Sequence, residues 1–224
     1  MKIQFMHSKK TAEDIYSFYF QNPDKLRYVA GQFIELTIEH ENPDSRGTKR
    51  WFTLSSSPTE ELLCITTKIS DEHSSYKKAL QNLKQGSSVR ISESMGDFIL
   101  PKDASIPIVF IAGGIGITPY RSMIKWLHDT KSRRSIELLY FAVDESHIAF
   151  REDISQPFVA RTFVTDGTKL SVDLLSSYIT DVRDKHIYIS GPEKMTESFV
   201  AELLSSGFTK HTIITDYFPG YTEL

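Results

Sequence analysis

The stretch AGGIGITPYRSMI, residues 112–124, sets Gly113, Gly114 and Gly116 between a Val/Ile/Phe run and an amphipathic segment opened by Thr118 and Pro119. Backbone without Cβ lets a phosphate approach the main chain, and a helix start offers free N–H groups and the positive end of a dipole. A pyrophosphate fits that arrangement. The pattern reads G-x-G-x-x-P, without the third glycine of the dinucleotide fingerprint, so close packing of strand on helix is an alternative reading of the glycines. A second turn, YISGPEKM at 188–195, repeats the logic: Ser190 at a strand end, Gly191 allowing close approach, Pro192 opening a helix. On its own it reads equally well as a good helix start.

A third stretch, KRWFTLSSSP at 49–58, packs an arginine, two aromatics and four hydroxyl side chains into ten positions. Guanidinium forks bind phosphate, aromatic faces stack on flat rings, and a hydroxyl can donate to a ring nitrogen. Its alternation is also that of a plain strand.

The elements that must carry these residues fall into two grammars. From Lys2 to about Leu100 short apolar runs such as QFIELTI, RWFTLSS, LLCITTKI and SVRISES alternate with period two, which predicts an antiparallel barrel or sandwich. One helix interrupts it, over Tyr76 to Leu83, with Ser74 and Ser75 as candidate caps and Gly86 as its stop. After LPKDASIP, 100–107, strands are predicted at 108–112, 136–143, 158–165, 186–190 and 212–218. Amphipathic helices are predicted at Pro119 to Thr130 and Pro192 to Ser206, the latter closed by Gly207. Alternating strands and helices imply a doubly wound, mostly parallel sheet, with its first strand at a topological switch point. The expected domains are 1–102 and 103–224.

Bulk properties narrow the field. The chain has 224 residues and a net charge of -3, from 26 Lys and Arg against 29 Asp and Glu, so no global field favours nucleic acid or an anionic membrane. A single cysteine, Cys64, excludes an intrachain disulfide and a cysteine-held iron-sulfur centre. His7, His40, His128, His186 and His211 show no ligand spacing, so no metal is expected. The start, MKIQFMHSKKTAEDIY, carries no signal-type apolar run and no stretch is long enough to span a bilayer, which points to the cytoplasm.

The ordered set of motifs resembles the ferredoxin-NADP reductase superfamily of flavoproteins over nearly the whole chain. RWFT, Arg50 to Thr53, is similar to its R-x-Y-[S/T] flavin signature. The resemblance implies a barrel domain binding FAD, with Arg50 on a flavin phosphate, Phe52 against the isoalloxazine and Thr53 near its N5; Trp51 lies in the same signature. Phe52 replaces the usual tyrosine and loses a hydroxyl. TTK, Thr66, Thr67 and Lys68, is similar in placement to a second flavin-contacting segment. HSSYKKAL resembles a third, whose Ser74, Ser75 and Tyr76 amides would meet a diphosphate. The glycine turn with Thr118 and Pro119 looks like the family's nicotinamide-dinucleotide turn, and YISGPEKM like its C-G-P-x-x-M turn, with Ser190 in place of cysteine. A hydroxyl there is harder and less polarizable than a thiol. In TDYFPGY, Asp216 would take the acidic role and Phe218 or Tyr221 would cover the second ring face.

The implied reaction passes hydride from NADH or NADPH to FAD and then electrons to a separate acceptor: a ferredoxin, flavodoxin, oxygenase component or small molecule. Thr53, Ser190 and Asp216 are the expected catalytic positions. Asp144 and Asp166, at the ends of the second and third strands of the sheet, favour a ribose hydroxyl over a 2′-phosphate and hence NADH, with His147, Arg151, Arg161 and Lys169 nearby. Lys9-Lys10 and Lys77-Lys78 are basic pairs that an acidic carrier could meet. The alternative is a non-catalytic flavin- or nucleotide-binding electron-transfer subunit of a larger complex.

Overall fold

The computed structural model describes residues 1–22, 26–70, 74–132 and 134–218. Its first half is a six-stranded antiparallel sheet: β1 (Lys2–Ala12), β2 (Ile15–Gln21), β3 (Phe33–Thr37), β4 (Lys49–Thr53), β5 (Leu62–Lys68) and β6 (Ser88–Ile91), in the order β4-β3-β6-β1-β2-β5. An antiparallel bridge between Leu54 and Ile65 joins the two edge strands and closes the sheet into a barrel. Side chains alternate as the period-two pattern requires. Phe18, Phe20, Ile34, Leu36, Leu63 and Ile65 fill the interior, and the helix α1 (Ser75–Gln81) plugs one end with Tyr76 and Leu80.

The second half is a five-stranded parallel sheet of β7 (Ile108–Gly113), β8 (Ile136–Phe141), β9 (Val159–Val164), β10 (His186–Pro192) and β11 (Ile213–Phe218), in the order β11-β10-β7-β8-β9. Three helices, α2 (Ile117–Asp129), α3 (Val172–Tyr178) and α4 (Glu193–Ser205), connect them. Every residue of β7 is buried, because both faces of a central parallel strand are covered. Phe110 and Tyr188 pack with Tyr120 of α2 on one face; Ile111 and Ile189 meet Phe199 and Leu203 of α4 on the other. Ile15, Ala30 and Phe98 belong to the first of these clusters, so the barrel and the sheet share a core.

Local chemistry explains where the predicted boundaries moved. α2 starts at Ile117 behind Gly116, and the Thr118 hydroxyl donates to the carbonyl of Ile115 at 3.1 Å instead of capping the helix. For α1, Ser74 is the cap, accepting from the Lys77 amide, while Asn82 ends the helix and Gly86, at φ +86°, belongs to the turn into β6. Gly207, at φ +83°, closes α4 as expected. α3 escaped prediction: seven residues capped by Ser171 give too short a window for a periodic signal. Among the described residues no helix is long and apolar enough to cross a membrane.

Candidate functional site

The strand order reverses between β7 and β10, and the two glycine turns leave the sheet at that point. They are packed on one another. A Cβ on Gly116 would lie 2.0 Å from the Ser190 carbonyl oxygen, one on Gly113 2.6 Å from Met195 Sδ, and one on Gly191 3.1 Å from Gly113 Cα. Backbone contact between the crossovers therefore demands Gly116, whereas Gly113 and Gly191 meet chiefly the movable end of the Met195 side chain. Gly114 differs: it sits at φ +52° with nothing within 4 Å of its missing Cβ, which leaves it as the open backbone of the turn. Thr118 and Pro119 are buried behind it, at the start of α2.

Ser190 stands in register with Asp216 on β11. By the period of the strand it shares a face with Tyr188, the face that carries α2 and the barrel. Its Oγ is buried and has no hydrogen-bond partner among the described residues. Burial pushes the neighbouring Asp216 carboxyl up to about 6, against the hydrogen bond of the Tyr217 amide. An unpaired hydroxyl beside a poised carboxyl, at the carboxyl ends of β10 and β11, is the arrangement expected of a ligand-contacting edge.

On the barrel, Arg50, Phe52, Ser75 and Tyr76 come together at the plugged end. The Arg50 guanidinium lies 4.9 Å over the Tyr76 ring, and Phe52 stacks on the same ring at 6.1 Å and 28°. Phe52 is buried among the barrel core residues, so part of the ring surface expected to face a flavin is already covered. Arg50 Nη1 donates to the carbonyls of Arg46 and Lys49, at 2.7 and 2.6 Å. Its Nη2 faces the carboxylate of Asp44 at 3.4 Å. Asp44 also accepts from the Ser75 and Arg46 amides, each at 3.1 Å. Burial pushes this carboxyl up, but the hydrogen bonds of Arg46 and Ser75 and the charge of Arg46 hold it at about 2. The position expected to take a phosphate therefore holds an anion already, one supplied by the chain. Its donors suit an oxyanion; the sequence hid the occupant, because NPDSRG reads only as a turn.

Other expected positions separate from this cluster. Trp51 points outward, 68% exposed, with its ring 6.3 Å from Phe33. Lys68 is exposed and ion-paired with Asp14 at 3.0 Å. Thr66 is committed internally: its hydroxyl lies 2.8 Å from that of Ser17 and 2.9 Å from that of Ser55. Thr67 is buried and donates weakly to its neighbour Lys68. Thr53 is buried and turns away from the barrel core that holds Phe52 and Leu54. Pro192 is exposed at the head of α4. Phe218 ends β11, its side chain outside the described residues, as is Tyr221 altogether.

The serines of LSSSP, which carried no expected role, join the two halves of the molecule. The Ser55 carbonyl accepts from Arg121 Nη1 at 3.1 Å, and the Ser56 carbonyl from the Ser122 hydroxyl at 2.5 Å. Arg121 also binds both carboxylate oxygens of Glu60 and, at 2.9 Å, Asp153. Thr59 donates to Asp129, at the far end of α2, at 2.5 Å. The available signal was an arginine inside the otherwise apolar start of α2, and its partners lie more than thirty residues away in the chain.

At the ends of β8 and β9, Asp144 caps the turn 145–147 through Ser146 and His147, and Asp166 accepts from the Thr168 amide. Hydrogen bonds from Ser146 and His147 hold Asp144 at about 2. Arg151 pairs with Glu145 and lies 4.6 Å over Phe163. Among the described residues no group of three His, Cys, Asp or Glu side chains converges as a metal site would require.

Residues 110–162 match the oxidoreductase NAD-binding domain family. Flavohemoprotein A of Dictyostelium discoideum is 27% identical over 99% of the chain and 61% of its own length. The chain thus spans about three fifths of that relative. The flavohem-like FAD/NAD binding domain of a nitric oxide dioxygenase from Vibrio cholerae superposes with a TM-score of 0.80 at 21% identity, covering 98% of both chains. Ferredoxin-NADP+ reductase from Plasmodium falciparum superposes with a TM-score of 0.80 at 18% identity, covering 97% of this chain and 95% of its own.

Proposed function

We propose that this chain, which has the two-domain fold of the ferredoxin-NADP reductase superfamily, is a flavin-dependent NAD(P)H oxidoreductase. The observation that carries the proposal is the buried, unpartnered Ser190 hydroxyl beside Asp216, set at the switch point where the two glycine turns meet. The domain boundary is placed at 102/103, in the segment between β6 and β7.

FAD is the proposed cofactor. When bound, it takes hydride from a dihydronicotinamide and returns the two electrons to an acceptor. The chain supplies binding and orientation. Arg50 offers a guanidinium to the phosphate, a role supported by the anion it already holds. Phe52, 9% exposed, offers the small part of its ring that is not packed on the fully buried Tyr76, and Thr53 a hydroxyl on the side of β4 away from the barrel core. Gly114 leaves open backbone for a dinucleotide, and Ser190 with Asp216 lines the edge where its nicotinamide is expected. Asp144 and Asp166 favour the ribose hydroxyl of NADH over a 2′-phosphate.

The acceptor lies outside these 224 residues, since their one cysteine, Cys64, is buried and cannot anchor a cluster alone. A ferredoxin, a flavodoxin or an oxygenase component has the required chemistry. A reducing cytoplasmic compartment suits the one free thiol. Ser190 in the place of a cysteine supports a second reading, an electron-transfer subunit that binds the same cofactors with little turnover of its own.

The test is an anaerobic titration with NADH and NADPH in parallel, followed in the flavin absorption bands. Bleaching by either donor is expected, with NADH the more effective. Protein that gains no visible spectrum with FAD would overturn the reading, and flavin that binds but resists both donors would favour the subunit.

A further inference from the structure

Arg121 has no expected role in the glycine-turn stretch that contains it, yet it ties the halves of the proposed site together. It follows Gly116 by five residues on α2, and Gly116 is locked against the Ser190 carbonyl by the absence of a Cβ. Its guanidinium reaches across to Ser55, two residues beyond Thr53, at 3.1 Å. Glu60 turns the loop 55–60 into a clamp: one oxygen accepts from the Ser57 amide at 2.6 Å while both accept from Arg121. Asp153 holds the guanidinium from a third direction, at 2.9 Å. Phe150 covers it at 5.7 Å. Only a planar fork with several fixed donors serves so many acceptors at once.

We infer that Arg121 is a positioning residue, whose buried guanidinium fixes the separation between the flavin strand at Thr53 and Ser55 and the nicotinamide turn at Gly116 and Ser190. Two observations and one general rule support geometry over simple stability. Arg121 Nε is buried with no acceptor among the described residues, a cost that a purely stabilising contact would avoid. Buried ion pairs contribute little net stability compared with apolar packing. A further interdomain hydrogen bond, Thr59 to Asp129, lies about 12 Å along α2 from Arg121 and involves neither the Ser55 carbonyl nor the Gly116 turn. Hydride transfer falls steeply when reacting atoms are misplaced by an ångström, so a looser junction would slow chemistry before it weakened binding.

The inference rests on the reductase reading, and its test separates the two. Arg121→Lys keeps the charge opposite Glu60 and Asp153 but cannot span to Ser55 at the same time; Arg121→Gln removes the charge; Thr59→Val breaks the remote contact. The first measurement is independent of flavin. Spin labels at Lys49→Cys and Glu197→Cys, both exposed positions, report the interdomain distance distribution by double electron–electron resonance, Cys64 being buried. Arg121→Lys should broaden the distribution and Thr59→Val leave it narrow.

The second measurement is anaerobic stopped-flow reduction of the FAD-loaded protein by NADH. Arg121→Lys should retain flavin and lower the limiting rate at least tenfold, with the apparent NADH dissociation constant within threefold of wild type; Thr59→Val should match wild type. A narrow distribution in a folded Arg121→Lys protein, or a wild-type limiting rate, overturns the inference. If Arg121→Gln fails to fold, Arg121→Lys decides alone. Wild-type protein that binds no flavin overturns the reductase reading, and the distance distributions then still decide whether Arg121 sets the junction.

Discussion

Asp44 Oδ1 lies 3.4 Å from Nη2 of Arg50, so the guanidinium suited to a flavin phosphate already faces a carboxylate of its own chain. An entering phosphate meets like charge until the loop carrying Asp44 gives way. Coulomb repulsion at about 4 Å reaches about 4 kcal/mol at a surface-like dielectric, and solvent around a carboxylate 27% exposed screens much of it. Asp44→Asn should therefore tighten FAD binding about tenfold, about 1.4 kcal/mol, in a calorimetric titration of flavin-free protein. Because the Asp44 pKa is lowered to about 2, its ion pair is intact above the ordinary carboxylate range and is lost only as pH falls through that value. The gain should thus be flat from about pH 5 to pH 8.

Asp216 has the opposite sign. Burial raises its folded pKa to about 6, above the value of about 3.9 in an unfolded chain, so the folded protein binds more protons between those limits. Stability should fall as pH rises from about 4 to about 6 and then level, with a total loss of order 2–3 kcal/mol from this group. Asp216→Asn should remove that slope and leave the protein more stable above pH 6. Urea midpoints measured across pH 4 to 8 for both proteins check this; parallel profiles would show that Asp216 does not titrate as described.

The unpaired Ser190 hydroxyl makes a separate prediction. Removing a buried polar group that lacks a partner relieves a desolvation cost of about 1 kcal/mol. Ser190→Ala should raise the melting temperature of ligand-free protein by about 2–4 °C. The same change should slow flavin reduction by NADH, because the edge beside Asp216 loses its polar contact. Ser190→Ala that melts lower than wild type would mean that the hydroxyl is satisfied in solution.

Glycines of one motif should differ in their tolerance. Gly116→Ala drives a methyl to 2.0 Å from the Ser190 carbonyl oxygen, a backbone atom that cannot step aside, and should cost about 3 kcal/mol. Gly114→Ala meets no atom and should cost only the left-handed backbone penalty, about 1 kcal/mol. Thermal melts of the two variants distinguish them, and equal losses would contradict the packing of the two turns.

Much of this architecture was legible before the structure. The alternating runs marked the barrel strands, the Val/Ile-rich runs the parallel strands, and Gly113 to Gly116 marked the crossover at the switch point. The reason is local: side-chain period, backbone permissiveness and helix starts are set within a few residues. Ser74 as a helix cap and Gly207 as a helix stop were readable for the same reason.

What tertiary structure alone decided is which polar groups were already spoken for. Thr66 has the composition of a ligand contact, yet Ser17 and Ser55 consume its hydroxyl. Arg50 has the chemistry of a phosphate ligand, yet Asp44 and the carbonyls of its loop surround it. Ser55 and Ser56 read as anonymous hydroxyls, and it is their carbonyls that join the two domains through Arg121 and Ser122. By itself the sequence determined the strands, the helices and the turns that could bind, because those follow from neighbours along the chain. The partners that occupy or free each donor came from residues distant in sequence, and only folding brings them within hydrogen-bond reach.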